Sequence, residues 1–310
     1  MDEIERIQRR ISLHDLRVLM WVIQAGSMGK AAKRLATSQP AVSRSIADLE
    51  SVLGVRLVDR SPQGIEPTQY GRALSRRGIS VFDELGQGIK DIRFLADPTA
   101  GHLRIGASIA IAAGFVSTVI DRLCQRSPGL TFQVLATDTA TAYRALIDRQ
   151  VDLAVLHIIE PISEEHFNSE PLLWDPHVVV AGTRNPLARR RRLKLGDLMN
   201  EHWTLPIADA PYGTVVFEAF RANGLPLPRT AVASTLPVRS ALLATGRYLS
   251  MIPRVALQFQ AQNQVFRGLK IDLPTTIRPL ALVTLKNRAL NPVAQLFSDW
   301  AREVTKRTKV

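Results

Sequence analysis

The chain has 310 residues, of which 46% are hydrophobic and 22% charged, and its Lys and Arg outnumber its Asp and Glu by a net charge of +12. This composition is that of a globular protein large enough for two or three domains, and the basic balance favours an anionic partner. The one cysteine, Cys124, excludes an internal disulfide. The charged start MDEIERIQRR is no secretory signal and no apolar run reaches transmembrane length, so we expect a cytoplasmic protein with no membrane partner.

The region from residue 12 to residue 67 predicts helices followed by a β-hairpin. Ser12, with Asp15 three residues later, has the pattern of a capping box at the start of the first helix. Apolar residues at helical spacing and the turn residues between them place helices at about 12–25, 27–35 and 38–53. The stretch RLVDRSPQGIEP, from 56 to 67, predicts two short strands around a Pro/Gly turn.

A long helix is predicted from Thr68, as its cap, to about Leu95. Its apolar residues repeat with a period of seven, which is typical of a helix that packs along another helix. Two glycines, Gly78 and Gly88, fall on the same seam and suggest a close helix–helix approach. The alternative is a flexible, kinked linker. The predicted dimerisation residues are Leu74, Val81, Leu85 and Ile92.

After Asp97-Pro98-Thr99-Ala100-Gly101, which has the character of a boundary, strands and helices alternate. Such alternation predicts open, mostly parallel sheets covered by helices, an α/β fold. The predicted strands are Leu103–Ala107, Thr131–Ala136, Asp152–Ile158, His177–Ala181, Thr230–Ser234, Tyr248–Ile252 and Pro279–Leu285. The predicted helices are 115–126, 139–149, 212–223, 237–245 and 292–305.

The third helix of the N-terminal region carries polar residues near its start that face away from its apolar stripe. Helices with a tight turn between the second and third, followed by a hairpin, describe an all-α winged helix-turn-helix, whose third helix enters the major groove of DNA. Gln can read adenine and Arg can read guanine. The alternative is that these residues form a solvated cap and a solvated charged face. The predicted DNA-contacting residues are Lys30, Lys33, Arg34, Ser38, Gln39, Pro40, Ser43, Arg44, Arg60 and Gln63.

The stretch GSMGKAAKRLATSQPAVSRSIADLESVLGVRLVDRSPQGIEPTQYG, from residue 26 to 71, resembles the signature of LysR-type transcriptional regulators. Two positions depart from the family pattern. Val58 stands where an aromatic residue is usual, and Pro67 where an aliphatic one is usual. Both are apolar, so they affect only the packing of the wing.

The resemblance implies an organisation for the whole chain. Residues 1–67 would be the winged helix-turn-helix, 68–97 the dimerising linker helix and 98–310 an effector-binding domain. That last domain would have a two-subdomain, periplasmic-binding-protein-like α/β fold, with one subdomain at about 101–174 plus 276–310 and the other at about 175–275. The implied partners are double-stranded DNA with an interrupted palindrome, a small-molecule effector and further copies of the chain in a dimer or tetramer. RNA polymerase would be a further partner.

In such folds, ligands lie beside helix N-termini at the carboxyl ends of strands. Hydroxyls and backbone N–H groups dominate those ends here, which favours a small polar or anionic effector such as a carboxylate or a sugar derivative. For each hydroxyl taken alone, an ordinary cap or turn residue is the alternative. The predicted ligand-binding residues are Ser108, Ile109, Thr137, Asp138, Thr139, His157, Ile207, Ser234 and Thr235.

No motif predicts an enzyme, a cofactor or a metal. The sequence has no G-x-S-x-G, no P-loop and no H-E-x-x-H spacing. Three alternatives to an effector-controlled regulator remain open: a ligand-independent regulator, a solute-binding protein, and an enzyme with an appended DNA-binding head.

Overall fold

The computed structural model describes residues 2–62, 64–259 and 266–306. The chain forms two compact units, residues 1–89 and residues 90–310. The boundary between them lies inside the long linker helix, which therefore contributes residues to both.

The first unit is helical with one hairpin. Its helices are α1 (Glu3–Gln8), α2 (Leu13–Ala25), α3 (Met28–Arg34), α4 (Gln39–Leu53) and α5 (Gln69–Ala96), the last of which continues into the second unit. Strands β1 (Val58–Ser61) and β2 (Gly64–Pro67) pair antiparallel. The capping box predicted at Ser12 and Asp15 is confirmed, since each side chain accepts a backbone N–H from the other residue. The helices from α2 onward and the hairpin therefore follow the predicted order, whereas α1 was not predicted.

A single apolar cluster holds the first unit together. Val42, Ile46 and Leu49, on the predicted inner stripe of α4, are buried. They pack against buried residues of α2 and α3, including Leu19 and Ala31. Burying each large aliphatic side chain stabilises the fold by about 1.5–3 kcal/mol. The packing fixes which side of α4 faces solvent.

The second unit contains ten strands among the described residues. They are β3 (Ala100–Ser108), β4 (Gly129–Thr137), β5 (Leu153–His157), β6 (Phe167–Asp175), β7 (His177–Gly182), β8 (His202–Leu205), β9 (Thr230–Ala233), β10 (Tyr248–Pro253), β11 (Phe266–Gly268) and β12 (Arg278–Leu285). In the described residues they form one sheet of order β4-β3-β5-β12-β6 and a second of order β11-β7-β10-β8-β9. The chain crosses from the first sheet to the second between β6 and β7, and returns between β11 and β12.

Helices cover both sheets. They are α6 (Ile109–Ile111), a π-helical turn (Ala112–Val116), α7 (Ser117–Arg126), α8 (Thr139–Ile147), α9 (Pro211–Ala222), α10 (Leu236–Ala244), α11 (Arg254–Gln258) and α12 (Pro292–Lys306). Short 3₁₀ turns lie at Pro186–Arg189, Leu195–Leu198 and Pro274–Thr276. Phe115 and Phe297 are buried in the core of the first sheet, and Trp203 and Phe220 in that of the second.

The prediction of mostly parallel sheets is wrong, because both sheets are mixed. In the first, β3 is parallel to β4 and β5, whereas β12 is antiparallel to β5 and β6. In the second, β10 and β9 run parallel to β8, whereas β10 and β11 run antiparallel to β7. The antiparallel pairings arise where the chain crosses between sheets, since β12 enters the first sheet on its return.

Three strands were not predicted from the sequence. β6 carries Pro171, which argues against a strand interior. The structure accommodates it at the edge of the sheet, where the register with β12 shifts between Leu280 and Ala281. β8 and β11 have four and three residues, too few for a periodic signal.

The linker helix α5 differs in part from the predicted dimerisation seam. Leu74 packs against the apolar core of the first unit rather than facing outward. Gly78 explains a contact within the chain, because an added Cβ would lie 3.0 Å from Sδ of Met20. Beyond this contact α5 presents an exposed apolar stripe. The large apolar residues of that stripe are Val81, Leu85, Ile89, Ile92 and Leu95, all exposed.

Candidate DNA interface and effector cavity

The start of α4 presents polar and basic side chains to solvent. Ser38 is the N-cap and accepts a hydrogen bond from the backbone N–H of Ala41. Gln39 and Arg44 are exposed. The hairpin reaches the same face, since Arg60 donates from Nη2 to Oγ of Ser43 at 3.3 Å. This helix start can therefore offer donors and acceptors to a groove while its apolar side stays buried.

The predicted DNA-contacting residues have different surroundings. Lys30, Lys33, Pro40 and Arg60 are exposed. Arg34 is exposed too, but its guanidinium lies 4.1 Å from the ring centroid of Trp21, a cation–π contact that fixes its position. Gln63 lies outside the described residues.

Glu50 has a role in the wing that the sequence did not reveal. Its Oε1 accepts hydrogen bonds from the backbone N–H groups of Leu57 at 2.7 Å and Val58 at 3.2 Å. The carboxylate thereby joins α4 to the first strand of the hairpin. Behind it, an added Cβ at Gly71 would lie 1.9 Å from the carbonyl oxygen of Leu57, so only glycine fits there.

A cavity of about 180 Å³ lies in the second unit, between the two sheets. Strands β3, β4, β8 and β9 end there, and helices α8, α9 and α10 begin there. The predicted cleft residues in its wall are Ser108, Ile109, Thr137, Asp138, Thr139, Ile207, Ser234 and Thr235. These residues come from four separate stretches of sequence. The prediction grouped them only because each lies at the end of a strand, and the structure brings them together in one cavity.

Several of the polar groups in this wall already have partners. Asp138 is the N-cap of α8, and its carboxylate accepts from the N–H and the hydroxyl of Thr141. These bonds hold the pKa of Asp138 below its ordinary value. The hydroxyl of Thr137 donates to the same carboxylate at 3.4 Å. Asp138 is therefore an anionic cap at one side of the cavity.

His157 differs from the prediction, because it does not line the cavity. It is fully buried, with Nε2 2.8 Å from Oδ2 of Asp175 and Nδ1 2.9 Å from the hydroxyl of Tyr212. The carboxylate fixes the ring proton on Nε2, so in the neutral ring Nδ1 accepts from Tyr212. The phenol oxygen in turn lies 3.0 Å from Oγ of Ser108. His157 thus positions Tyr212, and Tyr212 lines the cavity.

Besides Tyr212, two polar residues of the cavity wall were missed from the sequence, His177 and Arg239. His177 begins β7 and is 2% exposed, and neither ring nitrogen has a hydrogen-bond partner among the described residues. Arg239, on α10, is 7% exposed and donates from Nη1 to Oγ of Ser250 and to the carbonyl of Met251, while its Nε has no partner in that part of the chain. No motif marks either residue. A basic residue inside an apolar helix pattern, LPVRSALLA, is the only signal.

Comparison with known families matches both units. Residues 13–72 match the bacterial regulatory helix-turn-helix protein model of the lysR family, and residues 96–306 match the LysR substrate binding domain. The chain belongs to the LysR family of transcriptional regulators. The first unit of this LysR-type regulator therefore contains its DNA-binding domain and the second its effector-binding domain, and proteins of this kind are not enzymes.

The chain also aligns with curated transcriptional regulators over most of their length. The chain is 26% identical over 291 residues to the HTH-type transcriptional regulator GbpR of Azospirillum brasilense, covering 93% of this chain and 85% of the relative. It is 25% identical over 288 residues to TdcA of Escherichia coli K12, covering 93% and 91%.

Solved structures of the family share the fold. A full-length OxyR variant of Pseudomonas aeruginosa has a TM-score of 0.66 at 22% identity, covering 94% of this chain and 95% of that one. Full-length CbnR in complex with its target DNA has a TM-score of 0.54 at 20% identity, covering 95% and 100%. At these identities, the comparison establishes the fold alone.

Two kinds of feature are absent from the described residues. No helix there is both long and apolar enough to cross a membrane. No group of three or more His, Cys, Asp or Glu in those ranges is arranged to hold a metal ion.

For this LysR-type regulator, Gln39→Ala and Arg44→Ala are each expected to weaken binding to the specific operator by roughly 1–3 kcal/mol and to relax base preference. The reason is that both side chains are exposed at the start of α4, and alanine would remove the hydrogen bonds that we expect them to make to base edges. Lys33→Ala is the matched control, because a lysine that contacts phosphate should weaken all DNA about equally. Fluorescence anisotropy with operator and scrambled duplexes measures both. If the Gln39 and Arg44 variants keep their sequence preference, the assignment of α4 as the DNA-recognition helix is wrong.

Proposed function

We propose that the protein is an effector-controlled regulator that binds an interrupted palindrome as a homodimer or homotetramer in the cytoplasm. A small polar or anionic metabolite, a carboxylate or a sugar derivative, occupies the cavity between the two sheets and changes how the protein binds its operator. RNA polymerase is a further partner in this proposal. The observation that carries it is the convergence of the predicted cleft residues, other than His157, on one cavity.

The cavity favours effector control over a ligand-independent regulator. Its wall contains the buried polar side chains of His177 and Arg239, which have nitrogens without partners among the described residues. Buried donors without partners cost about 1–3 kcal/mol each. A protein that never binds a ligand would gain stability by replacing such groups with apolar ones. Their presence supports a ligand that completes their hydrogen bonds.

The stripe on α5 supports assembly through the linker helix. Val81, Leu85 and Ile92 are between 41% and 68% exposed and lie on one side of the helix. Contiguous apolar surface of this kind on a helix marks an interaction site, and a heptad spacing favours a second helix as its partner. A second copy of α5 supplies a matching stripe.

Thr137→Val and Thr235→Val are expected to abolish or shift the response to the effector while operator binding without effector stays unchanged. Valine keeps the shape of threonine but removes a hydroxyl from the cavity wall, so a ligand group bonded to it would be left unpaired. The measurement is operator binding with and without a panel of carboxylates and sugar derivatives. Thr245→Val is the control, since Thr245 lies at the other end of α10 and its hydroxyl bonds to the backbone carbonyl of Leu242. A response unchanged in both cavity variants would place the effector elsewhere.

A further inference from the structure

The effector cavity contains a buried positive charge, Arg239, that has no ion-pair partner among the described residues. Arg239 is 7% exposed, and its bonds go to neutral groups, the hydroxyl of Ser250 and the carbonyl of Met251. No carboxylate of the described residues forms an ion pair with it, and no Asp or Glu occurs outside those residues. Burial lowers the pKa of Arg239 to about 10, which still leaves the guanidinium charged at neutral pH.

Such an arrangement is unfavourable in the free protein. Taking a guanidinium out of water costs several kcal/mol unless an opposite charge compensates it. The Nε–H is also without a hydrogen-bond partner among the described residues. Because guanidinium groups bind carboxylates through paired N–H donors, one anionic group would supply both an acceptor for the unfilled Nε–H and the missing negative charge.

His177 lies in the same part of the cavity wall as Arg239. It pairs with Pro253 across β7 and β10, and Met251, whose carbonyl accepts from Arg239, lies two residues from Pro253 on β10. Burial lowers the pKa of His177 to about 3, so its ring is neutral near pH 7. A neutral imidazole offers one donor and one acceptor. Both are without partners among the described residues.

The rest of the wall is mostly apolar and its hydroxyls are partly engaged. Ser108 bonds to Tyr212, and Thr137 to Asp138. The apolar lining residues include Ile109, Pro206, Ile207, Leu236, Met251 and Pro253. The hydroxyls of Thr139, Ser234 and Thr235 also line the cavity, but they are fewer than the hydroxyls of a sugar, each of which needs a partner. The anionic Asp138 at the cavity wall also repels a second negative charge.

We infer that the effector is a compact monocarboxylate with an apolar body, whose carboxylate pairs with Arg239 and hydrogen-bonds to His177. The inference rests on the proposed function and narrows its ligand. The cavity of about 180 Å³ sets the size. It is slightly larger than the roughly 150 Å³ cavity that takes up benzene in an engineered protein core, so a body of about four to eight carbons fits.

The test compares acids with their own amides on the full chain. Hexanoate, cyclohexanecarboxylate and other monocarboxylates of about four to eight carbons are titrated calorimetrically beside the matching carboxamides, which have the same shape without the charge. We expect binding of at least one carboxylate and a preference over its amide of roughly 10- to 100-fold. Equal binding of amide and acid, or no binding by any carboxylate at millimolar concentration, overturns the inference without any substitution.

Two substitutions separate a ligand-binding role from a structural one. Arg239→Gln and Arg239→Met are expected to weaken carboxylate binding by roughly 10- to 100-fold, and Arg239→Met to leave the thermal midpoint of the free protein unchanged or raised. Arg184→Gln is the matched control, since Arg184 also donates to a backbone carbonyl, that of Ala244, but lies outside the cavity. A lower midpoint with undiminished carboxylate affinity would make Arg239 structural and overturn the inference.

The test also distinguishes this inference from the proposed function. If a sugar derivative or another neutral compound binds in the cavity and alters operator binding, the inference of a carboxylate effector is overturned, but the proposed function is not. If no compound of any class alters operator binding, effector control itself fails, and the narrower inference with it.

Discussion

A chain with Leu85→Asp is expected to sediment as a monomer. Leu85 is 48% exposed on the apolar stripe of α5, between Val81 and Ile92. In an assembly through this stripe, the substitution would place an unpaired carboxylate inside an apolar interface from each copy. The cost is several kcal/mol for each buried charge, which is a large share of the free energy of association of an ordinary dimer. Sedimentation velocity at micromolar concentration measures the result.

The control for this experiment lies on the same helix. Arg76 is exposed and precedes Leu85 by nine residues, two and a half turns, so it lies on the opposite side of α5. Arg76→Asp changes the charge by more than Leu85→Asp does, yet should leave the sedimentation coefficient of the assembly unchanged. An unaltered oligomer in Leu85→Asp would show that α5 does not hold the copies together.

The helices of the first unit could be predicted from local signals. Its caps at Ser12 and Ser38 are short-range hydrogen-bonding patterns, and the stripe of α4 repeats at helical spacing. The linker was harder, because a period of seven describes a packed helix but does not name its partner. Leu74 and Gly78 carry the period, yet both pack inside the same unit.

Most strands of the second unit could be predicted from the sequence, but the way in which they pair could not. Alternating elements favoured parallel neighbours, and β3, β4 and β5 are indeed parallel. The antiparallel entry of β12 depends on which sheet the chain returns to after a long excursion. The sequence around Arg278–Leu285 does not indicate which sheet this strand joins.

The cavity could be predicted in part, for a similar reason. A strand prediction locates the carboxyl ends of the strands, where these hydroxyls lie. Ser108, Thr137 and Thr235 could therefore be predicted. Arg239 and His177 are functional candidates only because they are buried with side-chain nitrogens that have no partner in the part of the chain that the structure describes. Burial depends on packing between distant elements, and a sequence shows a buried arginine and a surface arginine as the same letter.

A buried ion cluster at the start of β5 should be essential to the fold of the effector-binding unit. Asp152 is 2% exposed and lies 2.8 Å from Nη2 of Arg104 and 2.9 Å from Nη2 of Arg288, which is itself 2% exposed. Lys90, from the end of the linker helix, approaches to 3.5 Å but is 32% exposed. The cluster joins β3, β5 and the linker helix.

Burial alone would raise the pKa of Asp152. Hydrogen bonds from the side chain and backbone of Arg104, with the charges of Lys90 and Arg104, outweigh burial and hold the pKa well below its ordinary value. A carboxyl whose pKa is depressed by folding contributes stability that is present above its unfolded pKa of about 4 and is lost as the pH falls towards the folded pKa. The free energy of unfolding should therefore decrease below about pH 4.

Asp152→Asn is expected to reduce the free energy of unfolding of this unit by about 3–5 kcal/mol at pH 7, because it removes the buried carboxylate that pairs with both Arg104 and Arg288. It should also remove this group's part of the loss below about pH 4. Asp299→Asn is the control: Asp299 pairs with Arg302 at 2.6 Å but is 56% exposed, so its loss should cost less than about 1 kcal/mol. Urea unfolding of both variants, between pH 7 and acid, measures the difference. Equal costs would mean that solvent screens the Asp152 cluster as fully as the surface pair, and that it does not anchor β5 to β3.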